Sequence, residues 1–152
     1  MEELAKERLF KEIVAFANRS GGRLFLGIQE SPEKPPKAKQ ITPVPRCHDL
    51  AEILERSARD QIEPPLSSFA VHGVVTEADG FGGVVVFDVG RSVLAPHRSK
   101  IDLHCYIRRG TESRPMTMTE IQDVMLHLGR HLDGVAKTAG RPLKHGSTSA
   151  SQ

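Results

Sequence analysis

The feature that most constrains this chain is a helical pattern that stops at two glycines and resumes at once as a strand. From Leu4 to Asn18 the apolar residues Leu9, Phe10, Ile13, Val14 and Ala17 recur at helical spacing, with Lys6, Glu7, Arg8, Lys11 and Glu12 between them. That spacing predicts a helix with one buried stripe. Asn18-Arg19-Ser20-Gly21-Gly22 follows, and glycine can take the left-handed backbone conformation that closes a helix. Arg23 to Ile28 then alternates, with Leu24, Leu26 and Ile28 on one face, which predicts a strand entered from a two-glycine turn. Ala15, Ala17, Gly21 and Gly22 are small, as a helix and strand joined this tightly require. Because these glycines precede the strand, a doubly wound nucleotide-binding fold fits poorly, since it places its glycine loop after the first strand.

Ser31 to Gln40 holds three prolines and the lysines Lys34, Lys37 and Lys39 without apolar periodicity, and is expected to be an exposed, mobile loop. Ile41 to Val44 reads as a short strand. Asp49, with Glu52 three residues on, marks a helix start for Leu50, Ile53, Leu54, Ala58 and Ile62, closed by Pro64-Pro65. Phe69 to Thr76 and Val84 to Val89 are strand-like and joined by a glycine-rich connection, the pattern of an antiparallel hairpin. Ile101 to Arg108 alternates, which places Leu103, Cys105 and Ile107 on one face. Thr117 and Glu120 have capping-box spacing ahead of Ile121, Val124, Met125, Leu128 and Leu132, a closing helix with one apolar stripe. The pattern stops at Gly134. Residues 1–132 are therefore expected to form one domain and 133–152 a disordered tail. The order of elements predicts a mixed α+β fold, with helices packed on a largely antiparallel sheet.

With 152 residues, the chain suits one domain, and no stretch approaches the roughly 18 consecutive apolar residues that a bilayer span needs. Met1-Glu2-Glu3 lacks the basic region and apolar core of a secretory signal, and two cysteines make a disulfide-stapled fold a poor fit. The expected location is cytoplasmic or nuclear, with Cys47 and Cys105 reduced. The net charge of +2 arises in the last 22 residues, leaving 18 basic and 18 acidic residues in 1–130. A nucleic-acid site on the body would thus need segregated charge rather than excess charge.

The run Ile13-Val14-Ala15-Phe16-Ala17-Asn18-Arg19-Ser20-Gly21-Gly22-Arg23-Leu24-Phe25-Leu26-Gly27-Ile28 resembles the signature of the Alba-like DNA-binding-type domain of Schlafen proteins and many prokaryotic regulators. In that family an apolar helix ends in AFAN, two glycines follow, and a strand closes in G-I or G-V. Tyr106-Ile107-Arg108-Arg109-Gly110-Thr111-Glu112-Ser113 is similar to a second family feature, a strand ending in Arg-x-Gly before a Ser/Thr-rich turn and a helix. Pro96 also stands where the family has one. The resemblance spans roughly residues 5–130 and implies an Alba-like α+β fold and nucleic-acid binding. Some relatives are ribonucleases with three carboxylates, two on a strand before the AFAN helix and one after the G-V strand. Here Glu30 is the sole positional match, and Glu2, Glu3, Glu7 and Glu12 read as a solvated helix face. No nuclease is predicted, and no catalytic residue.

Asn18 either caps the helix or offers its amide to a ligand. With Gly21 and Gly22 it forms the turn. Cys47-His48 and His104-Cys105 have the right atoms for zinc but not the spacing, because neighbours on a strand face opposite ways. No metal or cofactor is expected. The phosphate-binding candidates are Arg19 and Arg23 beside the glycine turn, Arg98 and Lys100 ahead of the last strand, and Arg108, Arg109 and Arg114 at its end. Arginine suits bidentate phosphate contacts. The expected partner is DNA or RNA, held by its backbone without sequence preference. The alternative is a protein-interaction or oligomerisation module, with a homodimer as its simplest form.

Overall fold

The computed structural model describes residues 3–140. Helix α1 (Glu3–Ala17) buries Phe10, Ile13, Val14 and Ala17 of the stripe its spacing predicts, together with Ala15, while Leu9 is only partly buried. A three-residue turn leads into β1 (Gly21–Leu26), and a short hairpin follows, β2 (Ile28–Glu30) with β3 (Ala38–Ile41). Then come α2 (Cys47–Gln61), β4 (Ile62–Glu63), β5 (Phe69–Val75), β6 (Gly83–Gly90), β7 (Arg98–Ser99), β8 (Tyr106–Arg109), β9 (Glu112–Pro115) and α3 (Met118–Ala139). The main sheet has the order β1-β6-β5 and is antiparallel throughout, with three two-stranded ribbons beside it. Fold class is therefore α+β, as the sequence predicts.

Register explains the core. Leu24 and Val71 both stand opposite Phe87, and Gly22 and Phe69 both stand opposite Val89. Phe69, Val71, Val85, Phe87 and Val89 therefore share one face of the sheet and are buried, with α1 and α2 packed over them. Arg23, Phe25 and His72 lie on the other face, exposed.

Several expectations need correction. Gly21 and Gly22 are not the turn but the first two residues of β1, opposite Gly90 and Val89; the turn itself is residues 18–20. Glycine is required there for a different reason: a Cβ at Gly22 would lie 2.3 Å from the Phe16 ring, which rides directly over the strand. Ile28 does not continue β1, because Gly27 takes φ +96° and turns the chain into the β2–β3 hairpin. The second half of the expected proline loop, from Ala38, is thus paired strand. Helix α2 begins at Cys47, two residues before Asp49. Asp49 caps nothing; its carboxylate holds the Arg46 guanidinium at 2.6 Å, while the Cys47 amide donates to the Phe81 carbonyl. Ile62 belongs to β4, not to the helix.

The alternation from Ile101 to Cys105 is not a strand. Leu103 takes φ +62° and is exposed, and Asp102 Oδ1 accepts the His104 amide at 3.1 Å. An aspartate that satisfies backbone two residues on stabilises a turn. The pairing begins only at Tyr106, and Cys105 is half-buried rather than in the core. The expected Ser/Thr-rich turn is itself strand β9, which pairs with β8 across Gly110. The capping box at Thr117 and Glu120 forms as predicted. Yet α3 runs through Gly134 to Ala139, so residues 133–139 are helical rather than a disordered tail. A well-capped helix propagates at little cost per added residue, and a glycine only weakens it. Residues 141–152 lie outside the described residues.

Candidate nucleic-acid interface

Asn18 sits at the point where α1, the His97 segment and β8 meet, and it is 6% exposed. Its Oδ1 accepts the His97 amide at 2.6 Å, and its Nδ2 donates to the carbonyls of His97 and Tyr106, each at 2.9 Å. The amide is fully engaged within the fold. Asn18 therefore does not cap the helix with its side chain; its amide bonds tie α1 to the His97 segment and to β8 and fix where β8 leaves the core. Buried polar groups of this kind are satisfied because an unpaired one is costly.

His97 is buried beside it, with Nδ1 2.6 Å from the Pro64 carbonyl and Nε2 without a hydrogen-bond partner. Donation from Nδ1–H to that carbonyl leaves Nε2 as a bare acceptor, which suits the neutral ring. Burial pushes the His97 pKa down, and the Pro64 contact offsets part of that.

The seven candidate cations fall into separate places. Arg23 is on the exposed sheet face, cross-strand from Asp88, with Nε 2.5 Å from Oδ1. Arg98 and Lys100 stand by the carboxyl end of α2. Arg98 holds Glu63 at 2.5 Å, and Lys100 Nζ donates to the Asp60 carbonyl at 2.9 Å. Arg19 is exposed in the turn after α1. The remaining three share the β8–β9 hairpin. Arg108 is half-buried between Glu12, at 2.5 Å, and the Phe16 ring, 4.7 Å below its guanidinium. Arg109 and Arg114 converge on one carboxylate. Arg114 grips Glu120 through both nitrogens at 2.6 and 3.0 Å, and Arg109 reaches the same Oε1 at 2.8 Å. The structure thus gathers Arg108, Arg109 and Arg114, and keeps Arg23, Arg98, Lys100 and Arg19 apart from them.

The local build of this hairpin follows from its sequence. Gly110, at φ +62°, makes the tight turn, and Tyr106 and Ile107 anchor β8 in the core. Tyr106 donates to Asp102, and burial drives its phenol pKa upward. Glu120 then ties the hairpin to the start of α3. The Arg114 guanidinium first, then Arg109 and the Thr117 amide, hold its carboxyl well below the usual carboxylate range. Glu120 was legible as half of a capping box, but its hold on two arginines was not, because that depends on how the hairpin folds back. Glu12, Glu63 and Asp88 carry no sequence signal as arginine partners.

Beside the hairpin's helix lies an open, largely apolar groove of about 680 Å³ between the loop 91–95 and α3. Val93 and Ala95 line one wall, Val124 and Leu128 the other, and Arg19 and Arg91 stand at its rim. Arg91 was not singled out by sequence, since nothing in its neighbours marks it. Glu30 is exposed on β2. Among the described residues no three His, Cys, Asp or Glu side chains gather in a metal-binding group, and no helix is long and apolar enough to cross a membrane.

Against known proteins, the model of the family described as Schlafen, AlbA_2 matches residues 2–117. That span takes in the Asn18 junction and the whole β8–β9 hairpin. No curated protein matches the chain.

Proposed function

Since the chain belongs to the Schlafen AlbA_2 family, we propose that it binds nucleic acid, DNA or RNA, through the phosphate backbone and without catalysis, and that the β8–β9 hairpin makes the contact. The observation that carries this reading is the unequal pairing at Glu120: two guanidiniums share one carboxylate. Exposed there, the two guanidiniums outnumber the one carboxylate they grip, with Glu112 the cross-strand neighbour of Arg109, and guanidinium planes match phosphate oxygens bidentately. Arg108 acts differently. Held against Phe16 and Glu12, it fixes the hairpin on α1 and leaves Arg109 and Arg114 to the ligand. Arg23 and Arg98 are each matched one to one by a carboxylate and add little net field. Contacts of this kind position a duplex or a strand but do not read bases.

Fluorescence anisotropy with unrelated DNA and RNA oligonucleotides at two salt concentrations tests the reading. Arg109→Ala and Arg114→Ala are expected to weaken binding alike for every sequence, each lowering the salt slope by about one. If the parent chain binds neither nucleic acid at low salt, the reading fails. A protein-interaction module then takes its place, a reading favoured by the apolar groove beside α3.

A further inference from the structure

The Glu120 carboxylate serves two structures at once. Arg114 grips it end-on, with Nη1 at 3.0 Å and Nη2 at 2.6 Å, and Arg109 reaches it through Nη2 at 2.8 Å. The same carboxylate accepts the Thr117 amide at 2.9 Å, which is the half of the capping box that Glu120 supplies to α3. The Glu120 side chain is 17% exposed, against 42% for Arg114 and 54% for Arg109. A ligand therefore reaches the arginines more readily than the carboxylate they hold. Among the described residues α3 makes no extensive contact with any other element, and its inward residues Ile121, Val124 and Leu128 are only half-buried. The grip on Glu120 is thus the polar tie that holds the first turn of α3 to the β8–β9 hairpin.

We infer, on the reading of the hairpin as a phosphate site, that Glu120 stands where a phosphate binds: nucleic acid and Glu120 compete for Arg114, and binding releases the first turn of α3. The end-on edge of the Arg114 guanidinium, one of the edges that suit an oxyanion, is filled by Glu120, and Nη1 also donates to the Pro115 carbonyl at 3.0 Å. A phosphate on the remaining edge would put two anions on one cation, and like charges so close repel. Either approach weakens the hold on Glu120. Its carboxyl is kept ionised far below neutral pH by the two arginines, so it yields by moving and not by taking up a proton. Movement undoes the Glu120 half of the capping box. Helices in proteins owe most of their stability to packing, and α3 packs too lightly to keep its first turn closed without that contact. By linkage the effect runs both ways. Docked α3 lowers the affinity of the site by the fraction of time Arg114 is held, and bound nucleic acid lowers the protection of α3 to match.

Amide hydrogen exchange of the full chain, read by mass spectrometry on segment 121–128 with and without a saturating DNA or RNA oligonucleotide, tests this. Exchange there is expected to quicken several-fold on binding, while β5 and β6 stay unchanged. Glu120→Gln is expected to exchange faster without nucleic acid, to gain little more on binding, and to bind more tightly by a factor of similar size. Arg114→Ala reads the same contact from its other side: α3 exchanges fast with or without nucleic acid, and affinity falls because a phosphate contact is lost. Unchanged or slower exchange at 121–128 in a chain that binds nucleic acid, or a rise on binding that persists in full in Glu120→Gln, overturns the proposal and leaves the phosphate reading in place. Absence of binding at low salt overturns both.

Discussion

Asn18 and His97, 79 residues apart in sequence, exchange two hydrogen bonds: the asparagine Oδ1 accepts the His97 amide at 2.6 Å, and its Nδ2 donates to the His97 carbonyl at 2.9 Å. The same Nδ2 also reaches the Tyr106 carbonyl. One side chain at the end of α1 thus satisfies three backbone groups on two later segments. That pattern requires both a donor and an acceptor on one planar group, which only an amide supplies at this length.

Asn18→Ala is expected to cost about 2–4 kcal/mol, because it leaves buried backbone groups unpaired. Asn18→Asp should be comparably damaging, since an ionised carboxylate cannot donate to the two carbonyls. Urea unfolding followed by circular dichroism measures both. Arg19→Ala, one residue on and exposed, is the control and should change stability by less than about 0.5 kcal/mol. Equal stability of Asn18→Ala and the parent would remove the clamp from the account.

The His97 ring gives a pH dependence whose sign follows from its burial. Its pKa is depressed in the folded chain, while in the unfolded chain it takes the ordinary value of about 6.5. The unfolded state therefore binds more protons as pH falls below about 6.5, and folding stability drops until pH passes the folded value. Above that window the His97 contribution is constant. His97→Gln is expected to be less stable than the parent at pH 8, with the gap narrowing as the medium is acidified. Thermal melts at half-unit pH intervals follow it, and a gap that stays constant from pH 8 to 5 would show that His97 does not titrate this way.

How much of this was legible in the sequence depends on whether a signal is local. Period and capping are local, so α1, the β5–β6 hairpin and the Thr117–Glu120 box are readable from a few residues each. Leu103 shows the opposite case. It sits in an alternating run, yet Asp102 turns the chain there and gives Leu103 a left-handed backbone; a side chain that competes with strand pairing leaves no trace in apolar spacing. The two glycines were correctly marked as a close approach but placed in the wrong element, because the Phe16 ring that requires Gly22 packs across the turn. The candidate arginines were identifiable as residue types. Their pairing with Asp88, Glu63, Glu12 and Glu120 was not, since each partner lies on a different element and only the fold brings it near.

Gly22→Ala tests that close approach. The added methyl would sit 2.3 Å from the Phe16 ring, so either the ring or the strand must shift, at a cost of about 1–3 kcal/mol. Phe16→Leu in the same chain should recover part of that loss, because the smaller side chain vacates the ring's edge. A double-mutant cycle in urea reads the coupling directly. Additive effects of the two changes would mean that the glycine is needed for the β1 backbone and not for the ring.

Glu120→Gln separates the stability role of the hairpin from its proposed ligand role, because the two move in opposite directions. The change removes the charge that Arg109 and Arg114 share and weakens the capping box, since the neutral amide is a poorer acceptor for the Thr117 amide. Melting temperature is expected to fall at neutral pH. This loss should shrink only in strong acid, because the two guanidiniums hold the native carboxyl ionised well below the usual range. At the same time two guanidiniums are released toward solvent, so nucleic-acid affinity at fixed salt should rise several-fold, with the salt slope steepening by about one. Anisotropy titrations on folded protein at 10–15 °C below the variant's melting point keep the two effects apart. If the less stable variant binds DNA and RNA no more tightly than the parent, the charge at Arg109 and Arg114 does not meet phosphate, and the hairpin serves only to seat α3.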